Sequence, residues 1–265
     1  VTGVGVNGLE ARGISVRLGG ALVLDGVDAA FCAGEVTVIL GPNGAGKSTL
    51  MGCLAGLRAA EAGDIFLNGA ARGDLPARDL ARRIGFLPQV ADVHWDIDVA
   101  TLVALGRYAH QGRWGASVDD VAAVEAAMMA TDVLGFAGRA VKTLSGGERA
   151  RVLLARVLAG EPEWLLADEP FANLDPAHQL EGMAALRQVS AAGAGVVVVV
   201  HDLNLALQLA DRVLLLRGGR VVAAGTVDEV LTPALIGETY GIDVEMGRTA
   251  AGGRFIVTLG SLGNG

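Results

Sequence analysis

The chain has 265 residues, 52% of them apolar, a net charge of −8 and two cysteines. That length suits one large α/β domain or one core with a subdomain, and the longest unbroken aliphatic run, Val196–Val200, is far short of the roughly 20 residues that cross a bilayer. With no N-terminal stretch of signal-peptide type, no metal-ligand spacing around Cys32 and Cys53, and no long basic run, a soluble intracellular protein with buried reduced thiols and no nucleic-acid partner is expected.

Residues 1–8 are rich in glycine and valine without periodicity. Leu9–Leu18 and Leu22–Phe31 read as strands joined at Gly19-Gly20. Val36–Leu40 is apolar throughout, as a buried central parallel strand would be. Directly after it comes Gly41, Pro42, Asn43, Gly44, Ala45, Gly46, Lys47, Ser48 and Thr49, which carries the G-x-x-x-x-G-K-[ST] pattern. Glycines let a loop turn its N–H groups inward onto phosphate oxygens, and a helix starting near Gly46 adds its positive end to the same spot. Lys47 can then reach the β- and γ-phosphates while the Ser48 hydroxyl sits on Mg²⁺. A glycine-rich turn that only joins strand to helix is the competing reading. The β run before the loop and the helical stretch Ser48–Leu57 behind it favour nucleotide binding.

Gly63–Gly69 reads as a strand ending in an Asn-Gly turn, and Ile84–Pro88 as an apolar run that delivers Gln89. Residues 91–163 change character: Val99–Arg107 and Val118–Val133 are alanine-rich and helix-favouring, which predicts a helical subdomain inserted between two parts of a core, 9–90 and 164–265. Trp164–Ala167 and Val196–Val200 return to strand. Ala206–Ala210 belongs to a short helix, Arg212–Leu216 and Arg220–Ala224 to a hairpin about Gly218-Gly219, and Arg254–Leu259 to a last strand.

Two strand ends carry chemistry. Trp164–Ala167 runs into Asp168 and Glu169: an acid at such a strand end holds Mg²⁺ in P-loop proteins, and a second acid one residue on can deprotonate an attacking water. Capping of the next helix is the plainer role for the pair. His201 follows Val196–Val200 in the same way. Most histidines there are structural, but the carboxyl ends of parallel strands line ligand crevices, which suits a γ-phosphate sensor. The stretch Leu144, Ser145, Gly146, Gly147 and Glu148, with the helix-like Arg149–Leu158 behind it, makes a second anion platform. One chain does not need two for one nucleotide, so two protomers sharing each ATP are expected.

The set, in this order, resembles the ATP-binding-cassette (ABC) ATPases: the loop 41–48, Gln89, the signature 144–148, Asp168/Glu169, Asn173-Leu174-Asp175 and His201, with matches from about residue 9 to 245. The resemblance implies an α/β fold. Its parts are a P-loop NTPase core with a mixed, mainly parallel sheet, an antiparallel β subdomain and an inserted helical subdomain. It also implies a head-to-tail dimer sandwiching two ATPs, with Ser145, Gly146 and Gly147 of one protomer on the γ-phosphate held by Lys47 of the other and Glu148 in the same ATP-binding segment. Gln89 would help hold Mg²⁺ and report nucleotide state to a membrane partner, and Asp175 would couple the two sites. Phe86-Leu87-Pro88-Gln89, Thr101–Arg107, His201–Ala206 and Asp175–Gln179 are similar to the importers of iron chelates, haem and cobalamin. That branch implies a separate transmembrane permease, a periplasmic or lipoprotein substrate-binding protein, and a place at the cytoplasmic face of the membrane. Trp95, Ile97 and Val99 would form the apolar part of the permease docking face, or else pack in the core.

The sequence departs from the family at Leu18, where an aromatic usually stacks on adenine, at Glu148, where many members have glutamine, and at Ala109, where a proline is common. Weaker nucleotide affinity follows from the first. A soluble ABC ATPase of iron–sulfur cluster assembly shares every ATP motif and is the main alternative; a chromosome or repair factor would carry long coiled-coil insertions, which are not visible. His94, His110 and His178 share no metal spacing and read as solvated or packing residues, Met128-Met129 as core, Arg82-Arg83 as a solvated helix end, and Asp119-Asp120 as acids in a helix's first turn.

Overall fold

A computed structural model of the chain describes residues 8–89, 96–113, 115–172 and 174–261. Most of the glycine- and valine-rich start, together with His94, Trp95 and Asn173, lies outside the described residues. Strands β1 (Gly8–Leu18) and β2 (Ala21–Cys32) are followed by β3 (Val36–Leu40), helix α1 (Lys47–Leu54), β4 (Ala62–Leu67) and the short β5 (Ala70–Ala71). Next come α2 (Ala77–Arg83), β6 (Ile84–Leu87), α3 (Val99–Ala104), α4 (Val118–Ala130) and α5 (Gly146–Leu158). The order continues with β7 (Trp164–Asp168), α6 (Pro176–Ala191), β8 (Gly195–Val199), α7 (Leu203–Leu209), β9 (Arg212–Arg217) and β10 (Arg220–Thr226). It closes with α8 (Val227–Val230), α9 (Pro233–Tyr240), β11 (Ile242–Arg248) and β12 (Arg254–Ser261).

The central sheet runs β10-β9-β3-β8-β7-β6 and is parallel except for the β9–β10 hairpin; a second, antiparallel sheet runs β2-β1-β4-β5, and β11-β12 form a ribbon of their own. This is the mixed α/β arrangement expected. Every residue of β3, β7 and β8 is buried, because both faces of the sheet are covered, and a strand covered on both faces must be apolar without alternation. Along β3, Val36, Val38 and Leu40 face a core shared with α3, α5 and α6, while Ile39 turns to the other core with α1, β1 and β2. Trp164 opens β7 opposite Gly195 of β8, where a Cβ would come within 2.3 Å of its ring. The indole fills the space a side chain would have taken.

Local signals set the boundaries. The β4–β5 connection has Asn68 at φ 52° and Gly69 at φ 81°, the left-handed pair that a two-residue hairpin requires. Helix α1 ends at Leu54, short of the expected Leu57, as the chain turns through Gly56 at φ 77°. Three helices open on reciprocal Ser/Thr–acid capping boxes: Ser117/Asp120 on α4, Ser145/Glu148 on α5 and Thr226/Glu229 on α8.

Several readings need correction. Of the two readings of Val99, docking face or core, the second holds: it is fully buried where α3 packs on α4 and α5, while Ile97 is partly accessible and Trp95 lies outside the described residues. Met128 is core, but Met129 is 57% exposed. Arg82 and Arg83 do end α2, yet neither guanidinium is left to solvent alone: Arg82 donates to the Ala109 carbonyl, and Arg83 makes a forked pair with Glu163 at 2.8 and 3.0 Å. Asp120 is more than a first-turn acid. It is buried and takes Arg107 Nε at 2.8 Å, while Arg107 Nη1 also reaches Glu161 and the Ala159 carbonyl. The Ser117 backbone N–H and then Arg107 hold the Asp120 carboxyl down to about 2. Both cysteines are free; Cys53 is buried and Cys32 half-buried. Among the described residues no helix is long and apolar enough to cross a membrane.

Candidate functional site

The carboxyl ends of β3, β7 and β8 lie side by side, and the loop that leaves β3 is held both by its neighbours and by its own contacts. At Gly41 (φ 153°) a Cβ would fall 2.1 Å from the Leu216 carbonyl of β9. At Gly46 (φ 98°) it would meet Leu24 and Val23 of β2 at 2.6 and 2.9 Å. Only glycine permits both the torsions and these approaches. Lys47 is 5% exposed and donates to the carbonyls of Gly41 (2.7 Å) and Pro42 (3.0 Å), closing the loop on itself. Burial pulls its ammonium below the usual lysine range, against the carboxylates of Glu169 and Asp168, which favour the charged form. Helix α1 starts behind Gly46 with no side-chain cap and no acid in its first turn. Its first N–H groups therefore remain available to an anion.

Asn43, Gly44, Ala45, Gly46, Lys47, Ser48 and Thr49 line a cleft of about 200 Å³ together with Val23, Glu169 and His201. Asp168 is not among the lining residues but lies beside Ser48 and next to Glu169, 5% exposed, with Oδ1 buried and unpartnered. Burial raises its pKa above the usual carboxylate range, a hydrogen bond with Ser48 opposes this, and Glu169 adds to the rise. An orphaned carboxylate oxygen beside a serine hydroxyl is a site short of one partner. With the Gln89 amide nearby the available donors are all oxygens, which is the set a hard divalent cation takes.

Glu169 stands at φ 52°, left-handed for a non-glycine residue, with its N–H on the Val199 carbonyl at 3.1 Å. This sharp turn out of β7 lets its carboxylate bridge two of the other expected residues. Gln89 Nε2 donates to one oxygen at 2.6 Å, and His201 Nε2 meets the other at 2.5 Å. The structure thus brings Lys47, Ser48, Gln89, Asp168, Glu169 and His201 into one neighbourhood. A larger groove, about 760 Å³ with Glu161, Glu163 and Trp164 among its lining, lies at the opposite end of β7 and gathers none of them.

Ser145, Gly146, Gly147 and Glu148 are not among the residues lining the cleft. They form the first turn of α5, where Ser145 Oγ accepts from Glu148 N at 3.3 Å and Glu148 Oε2 accepts from Ser145 N at 2.7 Å. The second Glu148 oxygen takes Arg139 at 2.7 Å, and the Ser145 N–H and this arginine hold the carboxyl down to about 2. Asp175 caps α6, accepting from His178 N at 3.0 Å and meeting the His178 ring at 2.7 Å. Leu18 sits at the exposed tip of β1, and none of the residues lining the cleft is a phenylalanine, tyrosine or tryptophan. His110 has a packing role: its Nε2 lies 3.0 Å from the Gly160 carbonyl.

Sequence reasoning missed two supports of the site. Tyr240, at the end of α9, places its buried hydroxyl against the backbone of Gly41 without completing a hydrogen bond, and burial pushes its pKa up to about 12. Asn204, just past His201, binds both the N–H and the carbonyl of Ile256 at 2.8 and 3.1 Å, tying α7 to β12. Neither had a local signal, since each contact joins residues more than 50 positions apart.

The family model described as ABC transporter matches residues 24–172. The hemin import ATP-binding protein HmuV of Streptomyces coelicolor is 49% identical over 236 residues, covering 89% of this chain and 84% of that one. The protein of the same name from Pseudomonas aeruginosa is 42% identical over 242 residues, covering 89% and 93%. Among solved structures, an ABC transporter in an inward-facing conformation superposes with TM-score 0.82 at 24% identity over 95% of this chain and 96% of that one, a likeness of fold. A bacterial ABC transporter cassette solved as a dimer superposes with TM-score 0.73 at 26% identity, covering 83% and 98%.

Proposed function

Because the chain belongs to the ABC transporter family, we propose that it is the motor subunit of a haem importer, acting through a separate permease. The observation that carries this reading is the Gln89–Glu169–His201 chain of contacts opposite Lys47 and Ser48. The relatives from 40% to 49% identity, all named as hemin import ATP-binding proteins, support the importer branch and haem as cargo. Nothing favours the iron–sulfur-assembly alternative.

ATP is hydrolysed here. The loop 41–49 and the first turn of α1 hold the triphosphate, with Lys47 on the β- and γ-phosphates. Ser48, Asp168 and Gln89 are the residues that would hold Mg²⁺, and the ion would supply neutralisation of phosphate charge. Glu169 takes a proton from the attacking water, general-base work worth about 10²–10⁴-fold in rate. His201, already on the other side of that carboxylate, faces the γ-phosphate. Gln89 now bonds the base. Release of this hydrogen bond when nucleotide binds would link nucleotide state to the segment behind Gln89 and so to the permease.

Two copies close head to tail on two ATPs, with residues 145–147 of one protomer on the nucleotide of the other and Asp175 coupling the sites. Closure on ATP and reopening after hydrolysis drive the permease from the cytoplasmic face of the membrane. A substrate-binding protein delivers the cargo from outside. To test this, the Glu169→Gln chain is captured with ATP from gently solubilised native membranes. The expected result is a multi-span permease whose deletion abolishes haem uptake. Recovery of soluble assembly proteins alone would overturn the transport reading and leave the ATP chemistry standing.

A further inference from the structure

The two glycines of the α5 turn are glycines for different reasons. A Cβ on Gly146 would meet nothing within 4 Å, so that face is open. A Cβ on Gly147 would lie 2.7 Å from Cδ2 and 2.9 Å from Cγ and Nε2 of His178. The space above Gly147 is already filled by the chain's own imidazole.

That imidazole is fixed from its far side. Its Nδ1 is 2.7 Å from Asp175 Oδ2, while Asp175 Oδ1 accepts from the His178 backbone N–H at 3.0 Å. These contacts, the backbone N–H first, hold the Asp175 carboxyl below its usual range. An ionised carboxylate only accepts, so Nδ1 carries the hydrogen and donates. The ring also borders a small void of about 30 Å³ lined with Ala150, Leu154 and Phe171, and it is half-buried. One side chain therefore joins the first turn of α5 to the cap of α6, two segments about 30 residues apart in sequence.

We infer that His178 is a positioning residue that holds residues 145–147 in fixed register with Asp175 inside one protomer. This rests on the ATP-sandwich reading proposed above, in which both segments act on the partner's half of the dimer. Coupled through His178, the part that grips the partner's nucleotide and the part that reports between sites move as one body. In this account Gly147 is small to admit His178, and Gly146 alone is small to admit the nucleotide.

The test is a set of full-length variants read by steady-state ATPase and, separately, by ATP binding to the dilute monomer. His178→Ala is expected to lower turnover about tenfold with monomer ATP affinity unchanged, because the loop 41–49 is not touched. His178→Asn, which keeps an N–H donor for Asp175, should recover part of that loss. Gly147→Ala should be slow because its methyl meets the ring, and adding His178→Ala should raise its turnover several-fold, a departure from additivity that contacting residues show. The same addition should not rescue Gly146→Ala but lower its turnover about tenfold further, as it does in the parent chain. If His178→Ala fails to improve Gly147→Ala, or improves Gly146→Ala equally, the inference is wrong. Thermal denaturation of the Gly147/His178 set reads the contact without any turnover: additive Tm changes overturn it. Non-additive Tm changes in a parent chain that does not hydrolyse ATP would leave the contact standing and sink the sandwich reading instead.

Discussion

The cleft at the ends of β3 and β7 and the first turn of α5, the two segments proposed to meet phosphate, are left in opposite states. In the cleft the charges are in tension: Lys47 is buried on loop carbonyls, Asp168 keeps an orphaned oxygen and Glu169 holds a left-handed backbone. At the first turn of α5 and the cap of α6 the acids are paired off. Glu148 has Ser145 and Arg139, and Asp175 has His178. A site short of partners gains by binding a ligand, whereas a satisfied surface presents a fixed shape to one. On the function proposed above, the first region would hold the nucleotide and the second would be a preformed face brought to it.

The sharpest way to break this contrast is to remove the strained acid. Glu169→Gln should retain ATP and accumulate the closed dimer, seen by light scattering, while turnover falls by about 10²–10⁴-fold, the range lost with a general base. Parent-rate hydrolysis would refute the base assignment. Next in size, Lys47→Ala should abolish ATP binding by titration calorimetry, a loss on the order of 10²-fold or more when a charge-assisted phosphate contact goes, and should free the Gly41 and Pro42 carbonyls. An equal loss of binding in Ser145→Ala would erase the difference between the two regions.

Smaller effects sharpen it. Ser145→Ala removes an N-cap, which should destabilise by about 1 kcal/mol in denaturant titrations, with a drop in turnover but none in monomer ATP affinity. Last, acid should loosen α5. The Glu148 carboxyl is held at about 2, below its ordinary value of about 4.3. Its stabilising contribution is complete above that ordinary value and is lost as pH falls toward about 2. Glu148→Gln should therefore flatten the acid limb of the stability profile, measured by the denaturation midpoint between pH 5 and pH 2.

What was legible in the sequence was local or strongly periodic. The uninterrupted apolar strands β3, β7 and β8 and the loop, acid pair and histidine at their ends could be read because the central sheet delivers each strand end to one crevice. Alternation of Ile242, Val244 and Met246 with polar residues marked β11, and Asp175 with Pro176 marked the start of α6; both signals were present and unread. Others could not be read at all. Nothing near Asp120 announces Arg107 and Glu161 as its partners, and Gly147 gives no hint that it makes room for His178. Such pairings are set by how elements pack, not by the segments that carry them.

Glu169 has a final consequence, for durability. A left-handed non-glycine residue stores roughly 1–3 kcal/mol of backbone strain, which glycine would relieve. Laboratory selection for heat resistance alone would therefore be free to replace this glutamate. Its winners would be hardier chains that bind ATP and no longer turn it over.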